Sequence, residues 1–140
     1  MKRLSLAIVL FMTAFICSGC GLFGPQKYTC DESNVVSAQI VHLDRLVEEE
    51  YRYEYTVLRE IPDTSAFIER LISMKHTVNW GDPQPLEPGY IVIRLEYLNE
   101  DYDLIHASAQ LMHQSGKNRT GYFFFDKEQF DTLLADYLSE

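Results

Sequence analysis

The sequence predicts an α+β domain in which an antiparallel sheet of about five strands carries two helices on one face. Two segments place apolar residues at helical spacing behind a capping aspartate, one after Asp63 and one after Asp126. Most other segments alternate apolar and polar residues, which is typical of strands. Short polar turns separate the later strands, and such turns favour antiparallel pairing between neighbours.

The first two predicted strands precede the first helix. Val35 to Leu43 is rich in β-branched residues, and a polar stretch ending in Glu48-Glu49-Glu50 follows it. The second strand alternates strongly, which predicts one buried face and one wet face. Its apolar members are Tyr51, Tyr53, Tyr55, Val57 and Ile61.

A helix and a long connection come next. Pro62 ends the strand and Asp63 caps a helix, whose apolar positions are Phe67, Ile68, Leu71, Ile72 and Met74. Three prolines between Gly81 and Gly89 prevent ladder pairing, so this stretch is a loop, either a stiff connector or a docking ligand. Trp80 beside the loop either covers the core or anchors a partner.

The second half predicts three strands in meander order and a closing helix. The strands span residues 91–97, 105–111 and 120–125, with turns at residues 99–101 and 115–118. Asp126 and Gln129 form an N-terminal capping box, flanked by the hydrophobic staple Phe125 and Phe130. The apolar stripe of this helix is Phe130, Leu133, Leu134, Tyr137 and Leu138.

The N-terminus has the pattern of an export signal. Lys2 and Arg3 precede an apolar run of 13 residues from Leu4 to Ile16, which is shorter than the roughly 20 residues that span a bilayer. Ser18-Gly19-Cys20 follows and resembles the lipobox of bacterial lipoproteins, although Cys17 stands where leucine is usual. The resemblance implies removal of residues 1–19 and lipidation of Cys20. Ordinary signal peptidase cleavage, which would leave Cys20 and Cys30 free to pair, is the alternative.

The resemblance also implies an address for the protein. Residues 20–34 would be the lipidated N-terminus and a flexible linker, and residues 35–140 a single domain. The protein would sit on the outer face of the cytoplasmic membrane, or in an outer membrane if the organism has one. The segments 59–63, 90–93 and 122–125 also resemble small extracytoplasmic lipoprotein domains of Gram-positive bacteria, a group that brings no activity with it.

Charge restricts the partners of the mature chain. Without residues 1–19 the chain has 10 basic and 21 acidic residues, a net charge of −11. Such a surface repels nucleic acid and anionic lipid headgroups. It suits a basic protein partner, although acidic surfaces also simply keep small domains soluble.

No catalytic or cofactor motif is present in the sequence. Ser115-Gly116-Lys117 resembles the end of a phosphate-binding loop, but the glycine that the motif requires five residues before Gly116 is absent. The four histidines are scattered, and Asp101 and Asp103 flank a turn in which carboxylates commonly accept backbone hydrogen bonds. We therefore expect no catalytic residue, no metal site and no cofactor.

The sequence thus favours a membrane-anchored extracytoplasmic lipoprotein with a non-catalytic binding domain. Candidate partner-binding residues combine acidic and aromatic chemistry, which steers and then holds a basic protein. They are Glu48, Glu49, Glu50, Tyr51, Tyr53 and Trp80. The alternatives are an acidic inhibitor or immunity-type lipoprotein acting on a basic enzyme, and a small metal-dependent enzyme.

Overall fold

The computed structural model describes residues 28, 30, 32–49, 52–78, 84–121 and 123–139. Within these residues, a short 3₁₀ helix at Glu32–Asn34 is followed by eight strands and two α-helices. In chain order they are β1 Val35–Val47, β2 Arg52–Glu60, α1 Thr64–Ser73, β3 His76–Val78, β4 Ile91–Tyr97, β5 Tyr102–Ile105, β6 Gln110–Gln114, β7 Lys117–Thr120, β8 Phe123–Phe125 and α2 Lys127–Leu138.

The strands form two antiparallel sheets. The larger sheet has the order β2-β1-β4-β5-β6-β7, and the smaller one pairs β3 with β8. The long strand β1 lies between β2 and β4, whereas β2 and β7 are the edge strands. The α+β class and the antiparallel pairing are therefore confirmed. The predicted count of about five strands is wrong, because two predicted strands are each broken by a turn and β3 was expected to be part of a connection.

The first broken strand is the one predicted over residues 105–111. β5 ends at Ile105 and β6 begins at Gln110, and the two strands pair with each other. The His106 amide donates to the Ala109 carbonyl across a turn, at 2.8 Å. Ala107 and Ala109 consequently join different apolar clusters, on opposite faces of the sheet. Their spacing of two residues is the spacing expected on one face of a strand, so the sequence predicted a strand here. Small residues fit a tight turn equally well.

The second broken strand is the one predicted over residues 120–125. β7 ends at Thr120, and β8 leaves the large sheet to pair with β3. The buried Gln110 side chain takes the place of a neighbouring strand, since its amide bonds both the N–H and the carbonyl of Phe123. Gly121 is needed beside it, because a β-carbon there would lie 2.5 Å from Gln110 Oε1.

Both helices pack on one face of the large sheet, as the sequence predicts. Phe67 and Leu71 of α1 and Phe130 and Leu133 of α2 belong to one buried cluster. The sheet contributes Ala38, Ile40, Ile93, Leu95 and Ile105 to that cluster. Burial of these side chains supplies most of the energy that holds the helices to the sheet.

The two predicted helix caps are confirmed. Asp63 accepts a hydrogen bond from the Ala66 amide and Asp126 accepts one from the Gln129 amide, each at 3.0 Å. The Gln129 side chain does not complete the expected capping box. Its Oε1 accepts from the Lys75 amide instead, at 2.9 Å, so it joins the end of α1 to the start of α2.

The opposite face of the sheet is only partly covered. Segment 84–90 lies over it, with Leu86 buried against Val41, Leu43, Tyr53, Val92 and Leu104. The Tyr53 hydroxyl donates to the Leu86 carbonyl at 2.7 Å, and the Gly89 amide donates to the Leu43 carbonyl at 2.7 Å. This segment therefore acts as a lid over one half of the face.

The alternating run in β2 is buried only where the lid reaches it. Tyr53 is 8% exposed, whereas Tyr55 is 38% and Val57 42% exposed. β2 is an edge strand, and its register with β1 shifts opposite Ile40 and Val41. The prediction of one buried face therefore holds at Tyr53 and fails at Tyr55 and Val57, because alternation identifies the apolar side of a strand and does not show what covers that side.

The packed domain extends further toward the N-terminus than the sequence suggested. Tyr28, placed in the linker by its polar surroundings, is 3% exposed and belongs to the helix-side cluster. Its ring contacts Phe123 and Phe125 edge-on, and its backbone amide donates to His76 Nε2 at 3.3 Å. Among the described residues, no helix is both long enough and apolar enough to cross a bilayer. The predicted signal peptide lies outside them.

Candidate binding surface on the open sheet face

The sheet face opposite the helices has an uncovered part, which we call the open face. Cross-strand register places its residues on one side, since Tyr55 pairs with Leu43, Val57 with Val41, and Arg94 with Gln39. The open face consists of Ser37, Gln39, Tyr55, Val57, Arg94, Glu96 and Tyr102. Alternation along four neighbouring strands thus collects aromatic and charged side chains on one surface.

Arg94 occupies the centre of the open face. Its guanidinium lies 5.0 Å from the ring centroid of Tyr55 and 5.2 Å from that of Tyr102, within the range of cation–π attraction. It also forms an ion pair with Glu96. Because the Arg94 side chain is only 11% exposed, these contacts act in a partly desolvated setting. The two rings and the carboxylate hold the guanidinium in one orientation.

The Glu96 carboxylate is itself fixed in position by hydrogen bonds. The Ser37 hydroxyl donates to Glu96 Oε2 at 2.8 Å. Burial alone would raise the pKa of Glu96, but hydrogen bonds from Arg94 and Ser37 lower it below its ordinary value. Glu96 is therefore ionised at neutral pH and balances the charge of Arg94.

Side-chain contacts continue from Tyr102 to the next two strands, β6 and β7. The Tyr102 ring stacks on the His113 ring with centroids 4.8 Å apart and planes 8° apart. His113 Nδ1 lies 2.6 Å from Asn118 Oδ1. Each side chain restricts the rotamers of its neighbour, so the aromatic surface is fixed before any partner arrives.

A groove of about 720 Å³ adjoins the open face on the lid side. Leu46, Tyr53, Leu86 and Leu111 give it an apolar wall, and the hairpin of β6 and β7 forms the other side. Burial raises the pKa of Tyr53, so its hydroxyl remains a neutral donor to Leu86. The groove has the size of a typical ligand site.

Comparison of the chain with protein-family models, with curated proteins and with solved structures found no match.

The structure describes three of the candidate partner-binding residues. Glu48 and Glu49 are exposed in the turn after β1, and Tyr53 lines the groove with its ring buried under the lid. Cys20, Glu50, Tyr51 and Trp80 lie outside the described residues.

Sequence reasoning missed the residues at the centre of the open face. One signal was available, because Arg94 interrupts the apolar run Ile91 to Leu95. An arginine inside such a run needs partners that compensate its charge. The identity of those partners depends on strand pairing, which brings Tyr55 and Tyr102 to Arg94 from two other strands.

The histidines do not assemble into a metal site within the described part of the chain. His42 pairs with Asp44, His76 accepts from Tyr28, and His106 stacks on Tyr90 with centroids 4.4 Å apart. Among those residues no group of three histidine, cysteine or acidic side chains lies close enough to bind one metal ion. The geometry of the open face is suited to recognition, with its charges already paired and its rings held in place.

Proposed function

We propose that this protein is a lipid-anchored extracytoplasmic binding module that holds a basic protein partner on its open face. The stacked arrangement of Tyr55, Arg94 and Tyr102 is the observation that supports this proposal most directly. Tyrosine and arginine are the residue types that, with tryptophan, carry most of the energy at protein interfaces. Their fixed positions reduce the entropy lost on binding.

The charge of the chain supports a basic partner. At a net charge of −11, the mature protein attracts a basic protein over several ångströms and accelerates the encounter. The rings of the open face then supply short-range contacts, and exposed Val57 adds apolar area. Charge sets the association rate, while the aromatic surface sets the lifetime of the complex.

Lipidation of Cys20 would place the domain at the membrane. Each buried methylene contributes about 0.8 kcal/mol, and two acyl chains give stable anchoring where one does not. Tyr28 packs in the core only eight residues after Cys20. At no more than about 3.6 Å per residue, this short connection keeps the domain within roughly 30 Å of the lipid.

A second candidate function is inhibition of a basic enzyme by the same surface. The exposed Glu48 and Glu49 favour it, because acidic side chains can occupy a cationic active site. The two candidates differ in the identity of the partner and share the binding chemistry. An enzyme captured on the open face should lose activity when saturated with this protein, whereas a partner bound for assembly should not.

Site-specific photo-crosslinking in cells tests the binding surface. A benzophenone amino acid at Val57, on the open face, should give one discrete crosslinked protein of basic isoelectric point. The same group at Leu138 on α2, which is 41% exposed, is the matched control and should not give that product. Adding Tyr55→Ala should reduce the yield about tenfold or more if this ring is an anchor.

Two crosslinking results would reject the open face. One is an equal product from Val57 and Leu138, and the other is a product insensitive to Tyr55→Ala. Capture of an acidic protein would support the open face as the binding surface but contradict the proposal that the partner is basic.

The anchor has its own test. Cys20→Ala should leave the chain unprocessed or move it to the soluble fraction, and metabolic labelling with a fatty acid should disappear. Cys30→Ala is the matched control and should remain labelled and membrane-bound. A processed Cys20→Ala chain that still fractionates with membranes would contradict the lipobox.

A further inference from the structure

A second cavity lies at one end of the helix-covered side of the sheet, away from the open face. It has a volume of about 390 Å³. We call it the Asp103 cavity. The residues of its wall that matter here are Leu98, Asn99, Asp101, Asp103 and Met112. Such a volume falls within the range of small-molecule sites in proteins.

The carboxyl group of Asp103 is only half satisfied. Asp103 is 4% exposed on β5, on the side of the sheet opposite to Arg94 and Tyr102. Its Oδ2 accepts two phenol hydrogen bonds, from Tyr97 at 2.7 Å and from Tyr28 at 3.3 Å. Its Oδ1 is buried and has no hydrogen-bond partner among the residues that the structure describes. An unpaired buried carboxylate oxygen carries a desolvation cost that a bound donor would remove.

The neighbouring carboxylate differs from Asp103. Asp101 accepts from the Asn99 side chain at 2.7 Å and from the Ser115 amide at 2.8 Å, one bond to each oxygen. Asp101 therefore adds negative potential to the cavity, while Asp103 has the free acceptor. No lysine, arginine or histidine is among the described side chains that line the cavity. A positively charged ligand is thus favoured over an anion.

We propose that the Asp103 cavity binds a primary ammonium group carried on a short alkyl chain. The ammonium group has three donors, of which one meets Asp103 Oδ1 and the others suit the side-chain amide oxygens of Asn99 and Gln114 in the wall. Leu98 and Met112 supply apolar contacts for the alkyl part. Oδ1 itself is not exposed, so a lining side chain must shift on binding. Met112 is suited to this, since methionine is unbranched and flexible.

A primary ammonium fits better than a divalent metal ion. Calcium takes six to eight oxygen ligands, several of them carboxylates. Here one carboxylate oxygen is free, and the described residues contain no metal-binding group of three acidic, histidine or cysteine side chains. The same ammonium chemistry occurs in a free small amine and in a lysine side chain of a polypeptide. The test separates these two sources.

The experiment is calorimetry on the full lipidated chain in detergent micelles. The probes are n-butylammonium, the uncharged n-butanol, and a lysine blocked at both its amino and carboxyl ends. Butylammonium should bind and butanol should not. Asp103→Asn should weaken binding about ten- to a hundredfold, as expected for loss of a charged hydrogen-bond partner. The matched control Glu100→Gln, an exposed acid outside the cavity wall, should leave the affinity unchanged.

The affinity should also depend on pH with a defined sign. Burial raises the pKa of Asp103, whereas the hydrogen bonds from Tyr97 and Tyr28 oppose that effect. The titratable groups that act on Asp103 are Tyr28, Tyr97 and Asp101, and Cys30 in the cavity wall interacts with the two tyrosines. Both tyrosines have pKa values raised by burial and stay neutral. Ammonium binding should therefore weaken as the pH falls and Asp103 takes up its proton.

Each outcome decides the proposal. Tighter binding of the blocked lysine than of butylammonium assigns the cavity to a lysine of a polypeptide, and the reverse assigns it to a free amine. No binding of either amine, or equal binding by Asp103→Asn, overturns the proposal. If Asp103→Asn fails to fold, Met112→Trp fills the cavity while leaving the carboxylate intact, and it should abolish binding. Retained binding would then overturn the proposal. None of these results depends on the open face.

Discussion

Two charged residues on adjacent strands face opposite sides of the sheet and show how this fold accommodates charge. Arg94 is balanced by two rings and by Glu96, whereas Asp103 is balanced by two phenol groups at one oxygen only. Both side chains are largely buried. An uncompensated charge at either position would cost several kcal/mol, so their partners decide whether the sheet tolerates them.

Replacing Arg94 should show how much the stacked guanidinium contributes. Arg94→Lys keeps the charge but loses the planar group between Tyr55 and Tyr102, so we expect a loss of about 1–2 kcal/mol in the free energy of unfolding. Arg45→Lys is the control, because Arg45 pairs with Glu54 at an exposed position and should change stability much less than Arg94→Lys does. Urea melts of both variants measure the difference. Equal losses of stability in the two variants would mean that the contacts of Arg94 with Tyr55 and Tyr102 contribute no more than an exposed ion pair.

Asp103 should make stability depend on pH. Its pKa is raised in the folded state by burial, so the folded chain binds this proton more tightly than the unfolded chain does. Stability from this group is therefore complete at acid pH and is lost as the pH rises through the folded pKa. Asp103→Asn keeps a carbonyl acceptor for the two phenols and cannot ionise. In urea melts from acid to neutral pH, the variant should gain stability relative to the parent chain as the pH rises. A difference that does not change with pH would show that the Asp103 pKa is the same in both states.

At the scale of elements, the closing helix depends on one cap and one apolar stripe. Asp126→Ala removes the acceptor for the Gln129 amide and should cost about 0.5–2 kcal/mol. Leu134→Ala empties a buried position and should cost about 2–5 kcal/mol. Asp131→Ala is the control in the same helix, since its ion pair with Lys127 is exposed and is worth about 0.5 kcal/mol or less. Urea melts that show negligible effects for all three would mean that α2 is not docked.

The helices were predictable because their signals are local. Asp63, Asp126 and the apolar stripes lie within a few residues of the backbone groups they serve. The strand breaks were not predictable, because Gln110 satisfies Phe123 from 13 residues away and thereby lets β8 leave the large sheet. The open face escaped prediction for the same reason. One of the two rings that hold Arg94 is that of Tyr55, which is 39 positions earlier in the chain and one strand beyond β1.

At the scale of the molecule, the large sheet separates two different environments. Helices, Tyr28 and the Asp103 cavity lie on one side, and the lid, the groove and the open face lie on the other. A domain anchored through Cys20 would thus have the buried Tyr28 on the helix side, leaving the opposite face for a partner. The sequence predicted the fold class but not this division, because one edge strand and one loop determine which surface is uncovered.

The acidic charge of the whole molecule should accelerate its association with a basic partner. With the partner captured through Val57, replacing Glu48, Glu49 and Glu50 by Gln should slow association roughly three- to tenfold at low salt. Dissociation should change little, because Glu48 and Glu49 are exposed in the turn after β1 and do not belong to the open face. The matched control replaces Glu69, Glu100 and Glu128 by Gln, which lowers the net charge equally at exposed sites elsewhere. Stopped-flow measurements at several salt concentrations give the association rate. This rate should depend less on salt only in the variant of Glu48, Glu49 and Glu50, since salt screens charges beyond about 10 Å. If both triple variants slow association equally, the net charge alone steers the partner. Glu48, Glu49 and Glu50 would then have no special role in binding.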